Sequence, residues 1–321
     1  MLKSLFAILI CASYLYAKPI AYEVKPNSFK SGNSVYMDEG KSIRLKFDVQ
    51  NAKSIKWYQI IPDVDTMYKN ANFPWDPNPY KWIGFGKIEY KSVELEQFQN
   101  QKIITITPNL LQANRPSGYK FYRSNVGSFW FKAVATLQNG KVVKSPDTIT
   151  YRGLSPKVFR VLYREDRGYI GMLTTFFNVP ALFGSVPYQS THYIGVDCAD
   201  SLMAVSSLMN KTKMPDINVA TMVTKLPHQA SFKIAKGEPN KKLRWGKEFR
   251  RGDFLAVKYN PKSRFAHIGL LYRDANGNGV LDKEDLILHT GPLPLDITPL
   301  SKGAFDGMVR ILRNRDLRRG R

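Results

Sequence analysis

The sequence predicts an α+β fold in two parts. Residues 20–153 form an all-β sandwich, and residues 157–321 form a unit in which a cysteine-led helix precedes antiparallel strands. Three observations carry this. Residues 20–150 break into short runs of alternating polarity, the period of a half-buried strand. Gly195-Val196-Asp197-Cys198-Ala199-Asp200-Ser201-Leu202 is a turn leading into an apolar-periodic run, Leu202 to Met209, which reads as a helix. Three β-prone runs then follow, at 253–259, 266–272 and 285–290. A helix followed by antiparallel strands is an α+β arrangement.

Residues 1–17 read as a secretory signal peptide. Lys3 gives a positive start, Leu5 to Ala12 is apolar, and Ala17 is a small residue before Lys18-Pro19. The apolar run is short for a membrane span, so the expected state after cleavage has no transmembrane segment. An uncleaved anchor is the alternative. Cys11 lies in this segment, and Ile8-Leu9-Ile10 before it lacks the small residues of a lipoprotein site. Export leaves Cys198 as a single cysteine. An odd cysteine in an exported chain is an intermolecular partner, a free reactive thiol or an inert core residue. The expected location is the bacterial periplasm or the outside of the cell.

The formal charge is +22, from 48 Lys and Arg against 26 Asp and Glu in 321 residues. The charges are scattered, apart from Arg313, Arg315, Arg318, Arg319 and Arg321 at the end. No zinc-finger, helix-turn-helix or P-loop spacing accompanies them, so no nucleic-acid partner is expected. Attraction to an anionic wall or membrane surface is the reading that fits an exported basic chain.

In the first part, Ser42 to Val49, Ser54 to Ile60 and Lys102 to Thr107 alternate as strands. Phe129 to Leu137 runs into Gln138-Asn139-Gly140, a hairpin turn, and Lys141-Val142-Val143 returns. A tryptophan on a middle strand (Trp57) with a closing hairpin points to an immunoglobulin-like sandwich without its disulfide. Residues 72–82, rich in proline and aromatics, read as a long loop. Gly153-Leu154-Ser155-Pro156 marks the boundary between the parts. Beyond it, Val158 to Tyr163 is β-prone, Tyr169 to Phe183 reads as helical until Pro180, and Thr212 to Lys247 reads as mixed, with short helices.

Cys198 falls at a helix N-terminus. Unpaired N–H groups and the positive end of the helix dipole favour a thiolate there, and the thiolate is the nucleophile. A cysteine nucleophile needs a base and a group that orients it. Of four histidines, His267 and His289 sit on successive predicted strands downstream of the cysteine, while His192 and His228 do not. That pattern points to a Cys–His–His site.

Five stretches in this order, Gly184 to Tyr188, Gly195 to Ala199, Arg251 to Leu255, Ala266 to Tyr272 and Leu288 to Gly291, resemble the NlpC/P60 family of papain-like cysteine peptidases. The resemblance spans about 180–295 and implies a papain-like catalytic fold. It implies that Cys198 attacks an amide carbonyl, His267 is general base and then acid, His289 orients His267, and Tyr188 reaches the site to donate to the oxyanion. The substrate class it implies is the stem peptide of peptidoglycan. Family members carry Ser-Gly after the cysteine, where this chain has Ala199-Asp200. Asp197, with Asp200 in place of the serine, is the expected substrate-binding pair. No organic cofactor is implied, and the N-terminal sandwich is the expected docking part for an envelope protein partner.

Between the histidine strands, residues 274–285 fit the twelve-residue calcium loop. Asp274, Asn276, Asn278, Asp282 and Asp285 supply side-chain oxygens at positions 1, 3, 5, 9 and 12, Val280 a backbone carbonyl, and Gly279 the sharp turn. The flanks are strands, so the expected site is a structural calcium hairpin that fixes the register of the strands carrying His267 and His289. A catalytically inactive cell-envelope binding or scaffold protein on the same fold is the alternative to a hydrolase.

Overall fold

The computed structural model describes residues 18–63, 88–117, 119, 121–150, 153–291 and 293–318. The expected signal segment, Cys11 and the aromatic loop at 72–82 lie outside the described residues. The chain is mixed α and β, as expected. The first part comprises β1 (Ala21–Lys25), β2 (Ser28–Ser31), β3 (Ser34–Asp38), β4 (Ile43–Lys46), β5 (Ala52–Pro62), β6 (Tyr90–Glu94), β7 (Ile103–Ile106), a short helix α1 (Pro108–Ala113), β8 (Gly127–Leu137), β9 (Val142–Lys144), β10 (Ile149–Thr150), β11 (Gly153–Leu154) and β12 (Phe159–Arg164).

These strands form two main sheets, ordered β2-β1-β4-β7 and β3-β12-β8-β5-β6, with β9 also on β8. Alternation selects their shared core. Ile43 and Leu45 of β4 and Ile104 and Ile106 of β7 face Trp57 of β5, Phe129 and Phe131 of β8 and Val161 of β12. Trp57 is fully buried, sets its ring edge-on to Phe47 and donates its indole N–H to the Gln101 carbonyl at 2.9 Å.

The strand β12 departs from the sequence-based boundary at 153–157. It pairs parallel with β3 and antiparallel with β8, so it closes the first sheet although its residues follow the boundary. Its other face explains the uninterrupted apolar run. Leu162, with Trp130 of β8 and Ile60 of β5, packs into a second core shared with the helices that follow. A strand covered on both faces loses its alternation.

The second part comprises α2 (Tyr169–Thr174), α3 (Pro187–Thr191), α4 (Cys198–Asn210), α5 (Val219–Lys225), β13 (His228–Ala235), β14 (Glu238–Pro239), β15 (Phe254–Lys258), β16 (His267–Arg273), β17 (Leu286–His289), β18 (Asp296–Pro299) and β19 (Gly307–Leu312). The helix expected from Tyr169 up to Pro180 is only the six residues of α2. The strands at 253–259, 266–272 and 285–290 are present as β15, β16 and β17. They are the middle of a seven-stranded sheet, β14-β13-β19-β15-β16-β17-β18. β13 and β19 were not legible because Lys233 and Arg310 interrupt their apolar runs.

One face of this sheet (Phe254, Ala256, Ile268, Leu270, Leu288) packs on α4 and α5 through Ala199, Leu202, Met222 and Val223. The other face (Leu255, Val257, Leu271, Ile287) carries a separate core closed by Phe232, Phe249 and Phe305. Among the described residues no helix is long and apolar enough to cross a membrane.

Candidate active site

Asp197 caps α4. Its backbone is extended, and its side chain accepts hydrogen bonds from the N–H groups of Ala199 at 2.9 Å and Asp200 at 2.8 Å. Two orphan donors of the first turn are thereby satisfied. Cys198 is therefore the first helical residue, as the sequence predicts. Its half-buried thiol lies close to the backbone N–H groups of Ile268 on β16, of Ala199 and of Cys198 itself.

These amides favour the thiolate, but they are outweighed. Burial first, and the Asp197 carboxylate second, push the thiol up to about 12. The expected ease of ionisation at a helix start is thus reversed here by burial, with the capping residue adding to it. Asp197 is in turn pushed up to about 6, by burial and then by the nearby Asp200.

Asp200 is 3% exposed and accepts from the hydroxyls of Ser185 at 2.7 Å and Ser190 at 2.9 Å. Ser185 also accepts from the Asp197 N–H at 2.9 Å. Both acids of the expected substrate-binding pair thus lie beside the thiol in sequence, yet each is engaged internally. Asp200 holds the 185–190 loop to the first turn of α4.

The histidines form a second, fully assembled group. His267 opens β16 and His289 ends β17. His267 Nε2 lies 3.0 Å from His289 Nδ1, and His289 Nε2 lies 2.8 Å from Thr298 Oγ1 on β18. Phe305 covers the pair, with its ring centre 5.0 Å from that of His267 and 5.3 Å from that of His289. Gly269 makes the room. A Cβ there would stand 2.9 Å from the His289 Cβ and 2.9 Å from the tip of Phe305.

Burial holds His267 well below the usual imidazole range, with His289 adding to the effect. Burial brings His289 down to about 4, against an opposing pull from Asp296. Both rings are neutral at neutral pH. When His289 donates from Nε2 to Thr298, its Nδ1 accepts from His267 Nε2–H. The free Nδ1 of His267 is then a lone-pair base.

The two groups approach from opposite faces of one sheet. His267 and Gly269 pair directly with Val257 and Leu255, on the face away from α4. Ile268 is on the α4 face. They come together at the start of β16, where Cys198 rests on the amide that follows His267. Among the described residues the thiol makes no hydrogen bond to either ring. Catalytic hydrogen bonds are often long without substrate and tighten when it binds.

Tyr188 lies on α3 and is 58% exposed. Its ring packs on His192, at 4.6 Å between centres, and no hydrogen bond joins its hydroxyl to Cys198 among the described residues. No pattern in the sequence points to Thr298, Phe305 or Tyr259. Cys198 and Tyr259 are close enough for their charges to interact, and the Tyr259 hydroxyl donates to the Ala304 carbonyl at 3.0 Å. Thr290, next to His289, is fully buried with an unpartnered hydroxyl. Only spatial pairing brings these residues to the site.

The 274–285 loop is tightly self-bonded. Asp274 accepts from the N–H groups of Gly277 at 2.8 Å and Gly279 at 2.7 Å. The side-chain amides of Asn276 and Asn278 converge on Asp282 Oδ2, at 2.9 and 2.6 Å. A half-turn of each amide would present oxygen instead of nitrogen at the same place. Val280 bridges to Arg244, and its N–H donates to Asn278 Oδ1 at 2.7 Å. Asp285 differs. It is fully buried, and its oxygens accept from the Ala275 N–H at 3.2 Å and the Trp245 indole at 2.8 Å. Four of the five expected side chains are thus engaged within the loop, and the fifth anchors it to Trp245.

No family model, no curated protein and no solved structure matches this chain.

Proposed function

We propose that this protein is an exported cysteine peptidase or amidase that hydrolyses amide bonds in peptidoglycan stem peptides. One observation carries the reading: a part-buried His267–His289–Thr298 chain begins at the residue before the amide that lies close to the Cys198 thiol. The resemblance of the five motif stretches to NlpC/P60 peptidases supports the same roles.

In this mechanism the pair starts neutral. His267 Nδ1 takes the thiol proton as sulfur attacks the carbonyl carbon, so no standing thiolate is needed. Collapse of the tetrahedral intermediate breaks the C–N bond, and the imidazolium gives its proton to the leaving amine. Water, deprotonated by the same nitrogen, then hydrolyses the thioester. His289 keeps His267 Nε2–H engaged throughout and so fixes its tautomer. Tyr188 is the oxyanion donor the resemblance assigns. From its stack on His192 it would have to swing toward the thiol when substrate binds.

The papain-like and immunoglobulin-like assignments belong to this reading. The sheet order β3-β12-β8-β5-β6, with a parallel β3–β12 pair and a buried Trp57 on β5, supports an immunoglobulin-like first part. The signal-like start supports the periplasm or the cell exterior, and the +22 charge supports an anionic wall polymer as target. The sandwich would dock an envelope protein partner. The 274–285 loop would bind calcium structurally and brace the β16–β17 hairpin. Calorimetry with millimolar calcium tests this, and absence of a heat signal removes the ion from the scheme.

The second reading, an envelope binding or scaffold protein without turnover, is favoured by the raised thiol and its lack of a hydrogen bond to His267. Digestion of purified peptidoglycan by the mature protein and by Cys198→Ala separates the two. New fragments from the first alone, identified by mass, support the hydrolase. Identical profiles from two folded proteins support the scaffold.

A further inference from the structure

We infer that the α4-facing side of the β19–β15–β16 sheet carries a subsite for a carboxylate, built from Arg310 and Lys258 beside Phe265, next to the Cys198 thiol. The inference deepens the hydrolase reading and rests on it for the word substrate: the ligand is a substrate bearing a carboxylate close to the scissile amide.

The placement follows from the sheet register. Arg310 of β19 is the direct partner of Ala256 on β15, and Ala256 is the direct partner of Ile268 on β16. Direct antiparallel partners point to the same face. Ala256 and Ile268 both face the α4 core, so Arg310 does too. Strands lie about 4.8 Å apart, which puts the Arg310 backbone about 10 Å from Ile268, within reach of a long side chain. The thiol rests on the N–H of that same Ile268. Lys258 lies one row further along β15 on the same face, at the end where His267 begins β16.

The two cations are held by an aromatic ring instead of by acids. The Arg310 guanidinium carbon is 5.2 Å and the Lys258 nitrogen 5.8 Å from the centre of the Phe265 ring. Lys258 also donates to the Pro261 carbonyl at 2.8 Å. Among the described residues neither makes an ion pair, although Arg123, Arg164 and Arg313 elsewhere each find a carboxylate. The connection 260–266 between β15 and β16 adds Lys262 and Arg264 and contains no acidic residue. Two like charges sharing one ring repel, and a carboxylate between them relieves that repulsion. The fork of Arg310 suits a carboxylate geometrically, and Lys258 adds a point charge.

Alkylation of Cys198 tests this without a known substrate. The full-length protein is treated at low ionic strength and pH 9 with iodoacetate and, separately, with iodoacetamide. The reagents differ by one negative charge, so their rate ratio reads the local field, while the iodoacetamide rate alone reads thiol reactivity. Replacing both cations (Arg310→Gln with Lys258→Gln) is expected to lower the iodoacetate-to-iodoacetamide ratio about fourfold, the effect of two unit charges about 10 Å away through water. Arg310→Glu lowers it further, and salt erases the difference. Removing two exposed charges from the sandwich (Lys30→Gln with Lys41→Gln) leaves the ratio unchanged. An equal ratio in the Arg310/Lys258 variant and the wild type overturns the subsite. Brisk iodoacetamide labelling alongside it would leave the nucleophile reading standing.

Discussion

The two halves of the candidate site are built on opposite plans. The histidine half is assembled before any substrate arrives: two rings, a threonine and a covering phenylalanine, held between three strands. The cysteine half opposes its own ionisation, because the thiol is buried and the residue that caps the helix is an acid beside it. A helix N-terminus is usually taken to activate a cysteine. Here the cap that makes the helix start at Cys198 also supplies the charge that raises it. The candidate base is fixed by packing, and the candidate nucleophile is held up by burial first and by the Asp197 charge second.

The largest effect should come from the histidine half. His267→Gln removes the base while keeping a polar side chain, and cleavage should fall by about 10³-fold or more. Iodoacetamide labelling at pH 9 should persist, because that reaction needs only a thiolate. Loss of labelling as well would mean that His267 holds the thiol in place and is not simply a base. His289→Ala should cost about 10- to 100-fold by freeing the His267 ring. His289→Asn, whose carbonyl can accept from His267 Nε2–H, should recover part of that loss. Equal losses in Ala and Asn would break the orienting role.

Gly269→Ala probes the same half through packing. The added methyl meets the His289 Cβ, which cannot swing away, and the tip of the Phe305 ring, both at 2.9 Å. Stability should fall by about 1–3 kcal/mol, the usual cost of overpacking, and activity should fall with it. A thermal melt of Gly269→Ala equal to the wild type would show that the pair has slack.

The two halves also differed in how far the sequence revealed them. Cys198, His267 and His289 could be read from a turn–helix pattern and two strand runs, because local periodicity decides where they sit. Thr298 and Phe305 could not. They reach the histidines only because β18 pairs with β17 and because the chain before β19 folds over the strand ends. Asp200 shows the opposite limit. Its identity was plain, but its burial against Ser185 and Ser190 depends on how the 185–190 loop closes, and no period in the sequence encodes that. β12 misled for a related reason: a run buried on both faces gives no clue to which sheet it joins.

The smallest effect, and the sharpest test of the cysteine half, is Asp197→Asn. Asparagine caps helices about as well as aspartate, so α4 should keep its start. The charge beside the thiol is lost, and Cys198 should titrate lower, with iodoacetamide labelling at pH 8 rising several-fold (about tenfold per pKa unit). The stability change has a fixed sign. Asp197 sits at about 6 in the folded chain and at the ordinary 3.8 when unfolded, so the folded state binds more protons between these values and loses stability as pH rises through that window. The variant should therefore be more stable than the wild type at pH 7, by about 1–3 kcal/mol, and indistinguishable near pH 3.5. His289, and His267 with it, act in the opposite sense. They stay neutral when folded, so stability falls as pH drops from about 6.5 toward about 4. Removing Asp197 leaves that loss unopposed, and the acid limb of the variant's stability profile should steepen. A variant with faster labelling but an unchanged acid limb would place the Asp197 charge near the sulfur only when substrate or reagent opens the site.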